Sequence, residues 1–329
     1  MTERSSIFQV VQIGVESTAG TPVAANKLLQ SVSMEVGPKV DVSVFRAQGQ
    51  KFPAIAGLNK EWIEGKMQGM LTYTEILYLL AGVIKKVAPT GATNAKTWTY
   101  APSNTAADVA QTYTVEQGSS VRAHSFPFGI LTSLGMSFSR SGCEVSADVI
   151  GKAMTDGITM TATPGVVALK PVMPPQVSVY MADTYAGLAG ASALTRVIKA
   201  DWQISDRFAP LWVLSGTTSW VGQVETEPKL SLSLTVEADA EGMGLLSTVR
   251  TGATKFIRIK AVSDIIETTV PYTLQIDTAV KIGDVGSFSD EDGVYAIDYS
   301  MQGAYDATWG KATEIVVINE LTTANTGLS

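Results

Sequence analysis

The sequence has very few of the residues that usually carry chemistry or covalent cross-links. It contains one cysteine, Cys143, and one histidine, His124. A lone cysteine excludes an internal disulfide framework and a multi-cysteine zinc site. No Gly-x-Ser-x-Gly elbow, phosphate-binding loop or dinucleotide fingerprint accompanies the histidine. We therefore expect His124 to be structural or at the surface, and we expect no cofactor, no metal and no catalytic site.

Charge is also scarce. Asp, Glu, Lys and Arg make up 17% of the chain, and the formal net charge is −7. Usual proteins carry about a quarter of charged residues, so a surface this poor in charge suggests that other copies cover much of it. The negative balance argues against wrapping nucleic acid, which needs clustered Lys and Arg.

Long apolar runs are missing as well. No run approaches the length of a membrane span, and the N-terminus lacks the apolar core of a signal peptide. We expect a soluble protein, made in a reducing cytoplasm and not bound to a membrane.

Alternation of apolar and polar residues is the dominant pattern. Residues 230–236 alternate strictly and residues 255–260 alternate again, which is typical of strands with one buried and one solvated face. The stretch between them contains a short helix that ends near Gly252. Residues 230–261 are therefore predicted to form a strand, a short helix and a strand.

The same unit is predicted to occur in the first half of the chain. Residues 59–67 correspond to the first strand, 72–82 to the helix and 97–100 to the following strand. Two flanking matches support the duplication: 113–116 with 272–275, and 133–142 with 294–303. We predict a first domain over 1–160, a linker or edge segment over 161–194, and a second domain over 195–329.

Two stretches are candidates for contacts between copies. Residues 37–58 show only a short alternation and are predicted to be mostly irregular, although an ordinary hairpin is an equal alternative. Loops of that length are usually functional or disordered. Residues 205–222 are a possible counterpart in the second half. The candidate contact residues are Phe45, Arg46, Phe52, Phe208, Trp212 and Trp220.

Small hydroxyl and acidic residues occupy alternate positions of several predicted strands, and they offer little that could grip a phosphate backbone. The alternative is that they form the ordinary solvated faces of antiparallel sheets. The residues are Ser137, Ser139, Ser231, Ser233, Thr235, Asp298, Ser300 and Gln302.

Three other groups admit a chemical interpretation, each with a simpler alternative. Residues 290–293 could bind calcium, but a solvated hairpin turn explains them better. Glu237, Asp239 and Glu241 could act as an acid–base pair, but their place at a helix start accounts for them. Trp212 and Trp220 could stack on a sugar, or lie in the core or in a subunit contact.

Taken in order, several segments resemble the major tail tube proteins of long, non-contractile-tailed bacteriophages. The opening VQIGVESTAGTPVAA (11–25) comes first, followed by LTVEADA (234–240) with Gly244, FIRI (256–259) and DATWGKA (306–312). The likeness runs nearly end to end, and the order of the segments carries it.

The resemblance implies a β-sandwich with a flanking helix, six of which close an inner β-barrel in each ring of a stacked tube. Members with two tandem folds form rings of three subunits with pseudo-sixfold symmetry. A long loop between early strands reaches a neighbouring ring, and 37–58 is the candidate here. The lumen tends to be acidic, so DNA passes without specific binding. The implied partners are other copies, a tape measure protein and tail terminator and tip proteins.

The sequence thus predicts a mainly β chain with two tandem tail-tube-like β-sandwich domains, each with a short flanking α-helix and each contributing strands to an inner β-barrel. The predicted function is a structural virion protein of the tail, with the polar strand faces lining the channel. The alternative is a carbohydrate-binding or adhesive β-sandwich module that uses Trp212 and Trp220. An enzyme dependent on His124 is a third hypothesis.

Overall fold

The computed structural model describes residues 6–91 and 93–328, and the protein is mainly β. The first ten strands are β1 (Val10–Val15), β2 (Lys27–Leu29), β3 (Val32–Phe45), β4 (Ile55–Met70), β5 (Lys96–Tyr100), β6 (Tyr113–Gly118), β7 (Ala123–Ser139), β8 (Gly142–Gly151), β9 (Thr155–Ile158) and β10 (Gly165–Val166). The next ten are β11 (Val177–Ala182), β12 (Val197–Ser205), β13 (Phe208–Leu211), β14 (Gly222–Glu225), β15 (Lys229–Glu237), β16 (Lys255–Glu267), β17 (Val270–Val285), β18 (Ser289–Glu291), β19 (Val294–Gly303) and β20 (Thr313–Asn319). The helices are α1 (Ile76–Val83), α2 (Ala240–Gly244), α3 (Leu246–Thr251) and α4 (Thr323–Thr326).

Strand pairing repeats along the chain. In the first half the pairing order is β1–β6–β7–β8–β4–β3. In the second half it is β11–β16–β17–β19–β15–β12. All of these pairs are antiparallel, and the helices follow β4 in one half and β15 in the other. The two sets of six strands are therefore topologically equivalent.

Some of the segment matches made from sequence were wrong. Residues 113–116 lie in β6, whose equivalent is β16, whereas 272–275 lie in β17. Residues 133–142 lie mostly in β7, which is equivalent to β17 and not to β19. Residues 97–100 lie in β5, which pairs with β20 of the other half. Short alternating strands resemble one another, and the long connection between α1 and β6 shifts the spacing.

The segment 161–194, expected to be a linker or edge, contains strand β11. This strand pairs with β16 from Val177 opposite Ala261 to Ala182 opposite Phe256. It is the equivalent of β1 in the second half. The same segment also contains the short β10, which runs parallel to β2, so the sheet as a whole is mixed.

One antiparallel sheet runs through both halves, in the order β3–β4–β8–β7–β12–β15–β19–β17. We call this eight-stranded part the central sheet. Strand β7 joins the halves by pairing with β12, from Lys199 opposite Ser139 to Ile204 opposite Leu134. The early part of β7 pairs instead with β6 and its later part with β8. Strand β17 divides in the same way, pairing first with β16 and β20 and then with β19. One apolar core contains residues of both halves.

Helix α1 is buried on every side, as its sequence ILYLLAGV dictates. A buried carboxylate and a buried guanidinium hold its two ends. Just before the helix, Glu75 accepts hydrogen bonds from the backbone N–H groups of Gln30 and Ser31, at 2.8 and 2.9 Å. At the C-terminal end, Arg207 donates to the carbonyl groups of Val83 and Ile84, at 2.9 and 3.1 Å.

Arg207 comes from the second half of the chain and also bridges two carboxylates. Its side chain is 1% exposed and lies 3.1 Å from Asp108 and 2.6 Å from Glu225. One residue therefore ties the core helix of the first half to the strand that begins at Phe208.

We predict that Arg207→Met destabilises the fold by about 3–5 kcal/mol, because it removes the cation beside Glu225 and leaves the buried Asp108 with only the more distant ammonium of Lys85, 3.8 Å away. Urea denaturation measures the change in the free energy of unfolding. The matched control is Lys39→Ala at a surface ion pair, 3.2 Å from Glu64, with an expected loss below about 1 kcal/mol. Equal losses in both variants would contradict the role assigned to Arg207.

Candidate assembly surface

The central sheet has one polar face, because successive side chains of a strand point to opposite sides. Strand pairing places Ser137 opposite Asp201, Asp201 opposite Ser233, and Ser233 opposite Ser300. The alternate residues of the same strands are buried in the core. All eight hydroxyl, amide and acidic residues selected from the sequence lie on this face: Ser137, Ser139, Ser231, Ser233, Thr235, Asp298, Ser300 and Gln302.

A second row of residues crosses every strand of the central sheet. Each member is opposite the next in the strand register, and apart from one glycine all of them are polar. The row is Ser33, Gln68, Ser146, Gly135, Gln203, Ser231, Gln302 and Lys281. Sequence reasoning missed most of this row, although the alternation of Lys199, Asp201 and Gln203 in β12 carried the signal.

The polar face is concave. It contains an open depression of about 1110 Å³, and the residues around it include Ser33, Gln68, Ser146, Gln203 and Ser231. The depression spans the junction between the halves. It is therefore a property of the continuous sheet and not of either half alone.

Carboxylates outnumber lysines on this face, and several are hydrogen-bonded by their neighbours. Ser133 donates to Asp148 at 2.6 Å, and Thr235 donates to Asp298. The Lys199 ammonium lies 2.8 Å from Asp201, and this hydrogen bond raises the pKa of Lys199. The carboxylates include Glu35, Glu64, Glu144, Asp148, Asp201, Glu237, Asp284 and Asp298, and the lysines include Lys39, Lys66, Lys199, Lys229 and Lys281.

The arm predicted over 37–58 projects from the sheet as the end of the β3–β4 hairpin. Of the two alternatives, the hairpin is confirmed and the mostly irregular loop was wrong, because strand pairing continues, with one register shift between Asp41 and Val42, as far as Phe45 opposite Ile55. The tip between these residues is irregular. Phe45 and Phe52 are 60% and 69% exposed, and Arg46 at the tip is also exposed.

Apolar side chains of the arm lie in solvent along both strands. They include Val40, Val42, Val44, Ile55 and Leu58, of which the least exposed is still 45% accessible. A two-stranded ribbon has no core of its own to bury them. The apolar side chains of the arm therefore remain exposed to solvent in the single chain.

The second stretch, 205–222, behaves differently from the first. It forms the small β13–β14 sheet, and Phe208 and Trp220 are 4% and 1% exposed. Trp220 packs on Phe128 with ring centroids 4.2 Å apart, and its indole N–H donates to the carbonyl of Gly151. The prediction that Phe208 and Trp220 form a contact surface was therefore wrong, because both rings belong to the core.

Trp212 is half-buried at the base of the arm. Its ring meets Trp62 edge-on, with centroids 5.8 Å apart, and Lys60 lies 5.0 Å from its centroid. The backbone N–H of Glu61 donates to Thr218 in the same stretch. Residues 205–222 therefore support the arm where it leaves the sheet, and they offer no pair of exposed tryptophans for stacking on a sugar.

The remaining candidates take up structural positions. The ring of His124 has a buried Nε2 with no hydrogen-bond partner in the described chain, and burial lowers its pKa, while nearby Asp156 acts in the opposite direction. In 290–293, Asp292 and Gly293 have φ of 52° and 83° and form the tight turn between β18 and β19, as expected.

The three acidic residues near α2 are separated by their local roles. Glu237 ends β15 and pairs with Arg196 at 2.8 Å. Asp239 accepts a hydrogen bond from the N–H of Gly242 at the start of α2, at 2.9 Å. The side chain of Glu241 lies outside the described residues.

Over residues 6–91 and 93–328, no group of three or more His, Cys, Asp or Glu side chains is placed to hold a metal ion. In the same ranges, no helix has the length and apolar character needed to cross a membrane.

No family model matches the chain, and the curated proteins give no significant match.

We predict that Trp220→Ala destabilises the protein by about 3–5 kcal/mol, the usual cost of removing a large buried aromatic ring. Phe52→Ala should leave the free energy of unfolding within about 0.5 kcal/mol of wild type, because its ring is solvated in the single chain. Urea denaturation of dilute protein measures both. A large loss for Phe52→Ala, or none for Trp220→Ala, would contradict these placements.

Proposed function

We propose that this chain is the ring-forming subunit of the tail tube of a long, non-contractile-tailed bacteriophage, a conduit through which DNA passes into the host. The central sheet is the observation that carries the proposal. It is built from two equivalent sets of four strands, β3–β4–β8–β7 and β12–β15–β19–β17, joined by β7–β12 pairing. A sheet made of equivalent units, polar on its concave face, is suited to a cylinder wall.

The open ends of the central sheet support assembly with other copies. An edge strand presents unpaired N–H and C=O groups, and closing a sheet into a barrel removes such edges. In the proposed ring, three copies supply six equivalent units, as in tail tube proteins with two tandem folds. The two predicted domains become two neighbouring sectors of one pseudo-hexameric ring.

The polar face suits a channel for DNA. Serine, threonine and glutamine side chains keep the wall wet, and the excess of carboxylates repels phosphate. The lysines are interspersed with carboxylates, as with Lys199 beside Asp201 at 2.8 Å. A wall of this kind lets DNA move without binding it, because tight phosphate binding requires clustered cations.

The exposed arm suits contact between stacked rings. Its valines and phenylalanines, such as Val42, Val44 and Phe45, would be covered by a neighbouring ring. In this proposal the subunit has a structural role in the virion tail, and its partners besides itself are the tape measure, terminator and tip proteins. No step requires catalysis or a cofactor.

We predict that the purified chain, added to isolated tail tips, elongates into hollow tubes visible by negative-stain electron microscopy. The double variant Val42→Asp, Val44→Asp should abolish tubes, because it places charge on the arm surface that stacking buries. Its circular dichroism spectrum should match that of wild type, since both side chains are solvated in the single chain.

Val121→Asp is the matched control, because Val121 is also exposed but lies in the β6–β7 turn, outside the arm. This variant should still form tubes. A wild-type chain that stays monomeric at high concentration with tail tips present would overturn the proposed function. If the arm variant forms tubes as well as the control does, the arm has no role in the contact between stacked rings.

A further inference from the structure

The junction between the two halves is an edge-to-edge contact between equivalent units within one chain. The last strand of the first four-stranded set, β7, pairs with the first strand of the second set, β12. Leu134 is opposite Ile204, Gly135 opposite Gln203, and Met136 opposite Trp202. The β7–β12 pairing therefore gives the residue register of a contact between two equivalent units.

The two strands equivalent to this pair lie at the open ends of the central sheet. Strand β3, the equivalent of β12, pairs along its length only with β4 in the described chain. The last part of β17, the equivalent of β7, pairs with β19 on one side and leaves the other side open beyond Val280. The free edges of β3 and β17 are therefore equivalent to the edges of β12 and β7, which pair with each other at the internal junction.

Rows of directly paired, buried residues align the two units. In the first unit Ile13 is opposite Val115, which is opposite Phe126. In the second unit Val179 is opposite Ile259, which is opposite Ile276. Ile13 and Val179 are the most buried apolar residues of β1 and β11, and matching them makes Phe126 equivalent to Ile276.

Further along the same two strands, β7 has one irregularity in its pairing with β6 and one in its pairing with β8. We count along β7 from Phe126 and along β17 from Ile276. When the two extra residues of β7 are left out of the count, Leu134 is equivalent to Ile282.

The alignment continues across the central sheet. Leu134 leads through Ala147 and Met67 to Met34. Ile282 leads through Met301 and Leu232 to Trp202. The last residues of the two rows, Met34 and Trp202, are therefore equivalent.

We propose that the edge of β17 in one copy pairs antiparallel with the edge of β3 in a second copy, with Ile282 opposite Val36, Asp284 opposite Glu35, and Val285 opposite Met34. The register transfers the β7–β12 pairing to the free edges and allows for the bulge at Gly283. It deepens the proposed function, on which it rests, by naming the strands that close the ring.

The chemistry of the two edges fits this register. Ile282 and Met34 face the core at 7% and 4% exposure, so apolar side chains meet on the core side and polar ones on the concave side. The N–H of Met70 donates to the carbonyl of Ser31, so odd residues of β3 bond to β4 and the even ones face the open edge. One of these, the carbonyl of Met34, accepts a hydrogen bond from Gln117 and keeps a second lone pair.

One contact in the register is unfavourable by itself. Asp284 would be opposite Glu35, and like charges directly opposite destabilise a strand pair. Lys66, which is opposite Glu35 in its own chain, and Lys281 on the facing strand flank the two carboxylates. These lysines offset the repulsion across the proposed seam.

Engineered cysteine pairs test the register in a Cys143→Ala background. The pair Asp284→Cys with Glu35→Cys should give a reducible ladder of covalent oligomers when assembled tubes are mildly oxidised. Combining Asp284→Cys with Ser33→Cys or with Gly37→Cys moves one partner by two residues, about 6.6 Å along the strand, beyond disulfide reach. The cross-linked fraction should fall at least about fivefold in both offset pairs.

The internal junction supplies a matched control. Ser137→Cys with Asp201→Cys joins residues that are opposite each other within one chain. It should cross-link without producing oligomers.

Two outcomes with intact tubes would overturn the inference: a ladder that favours either offset pair, or no ladder while the internal control reacts. A ladder from Asp284→Cys with Glu35→Cys in protein that never forms tubes would support the strand pairing and reject the tube. Absence of both tubes and ladder would reject both.

Discussion

Backbone hydrogen bonding at the edges of the central sheet is the constraint on which the rest of the structure depends. Each N–H and C=O group of an edge strand must find water or another strand. Within the chain, β7 and β12 satisfy each other and join two equivalent units into one surface. At the outer ends the equivalent edges of β17 and β3 have no such partner within the described chain, and the proposed assembly rests on these two free edges.

The long strands β7 and β17 connect the central sheet to the rest of the fold. Because β7 and β17 each change pairing partners along their length and end in the central sheet, a single strand contributes both to the buried core and to the polar face. Burial is thus concentrated on one side of the sheet. The other side carries serine, glutamine and carboxylate side chains, so this face can be solvated without weakening the core.

Sequence patterns predicted the strand-rich fold and the polar face, because alternation reports directly which side of a strand is buried. Ser231, Ser233 and Ser300 were found in this way. The pairing of the strands was harder to predict from the sequence. Matching 113–116 with 272–275 failed because alternating segments look alike and only hydrogen-bond register distinguishes them.

Aromatic residues were the other source of error. Phe208 and Trp220 are aromatic residues, a type that is common in contact surfaces. The chain nevertheless folds β13 and β14 back over the first half and buries both rings. Arg207, which anchors that return, gave no signal in the sequence because its partners are two backbone carbonyls and two carboxylates from distant segments. Long-range contacts of this kind leave no local periodicity.

A cryo-electron microscopy map of assembled tubes would show whether the edges of β17 and β3 join between copies. We expect an unbroken β-barrel around the lumen, with a strand number that is a multiple of eight and with Ser231, Ser233 and Ser300 facing the channel. A wall interrupted between β17 and β3, or a map with these serines on the outer surface, would contradict it.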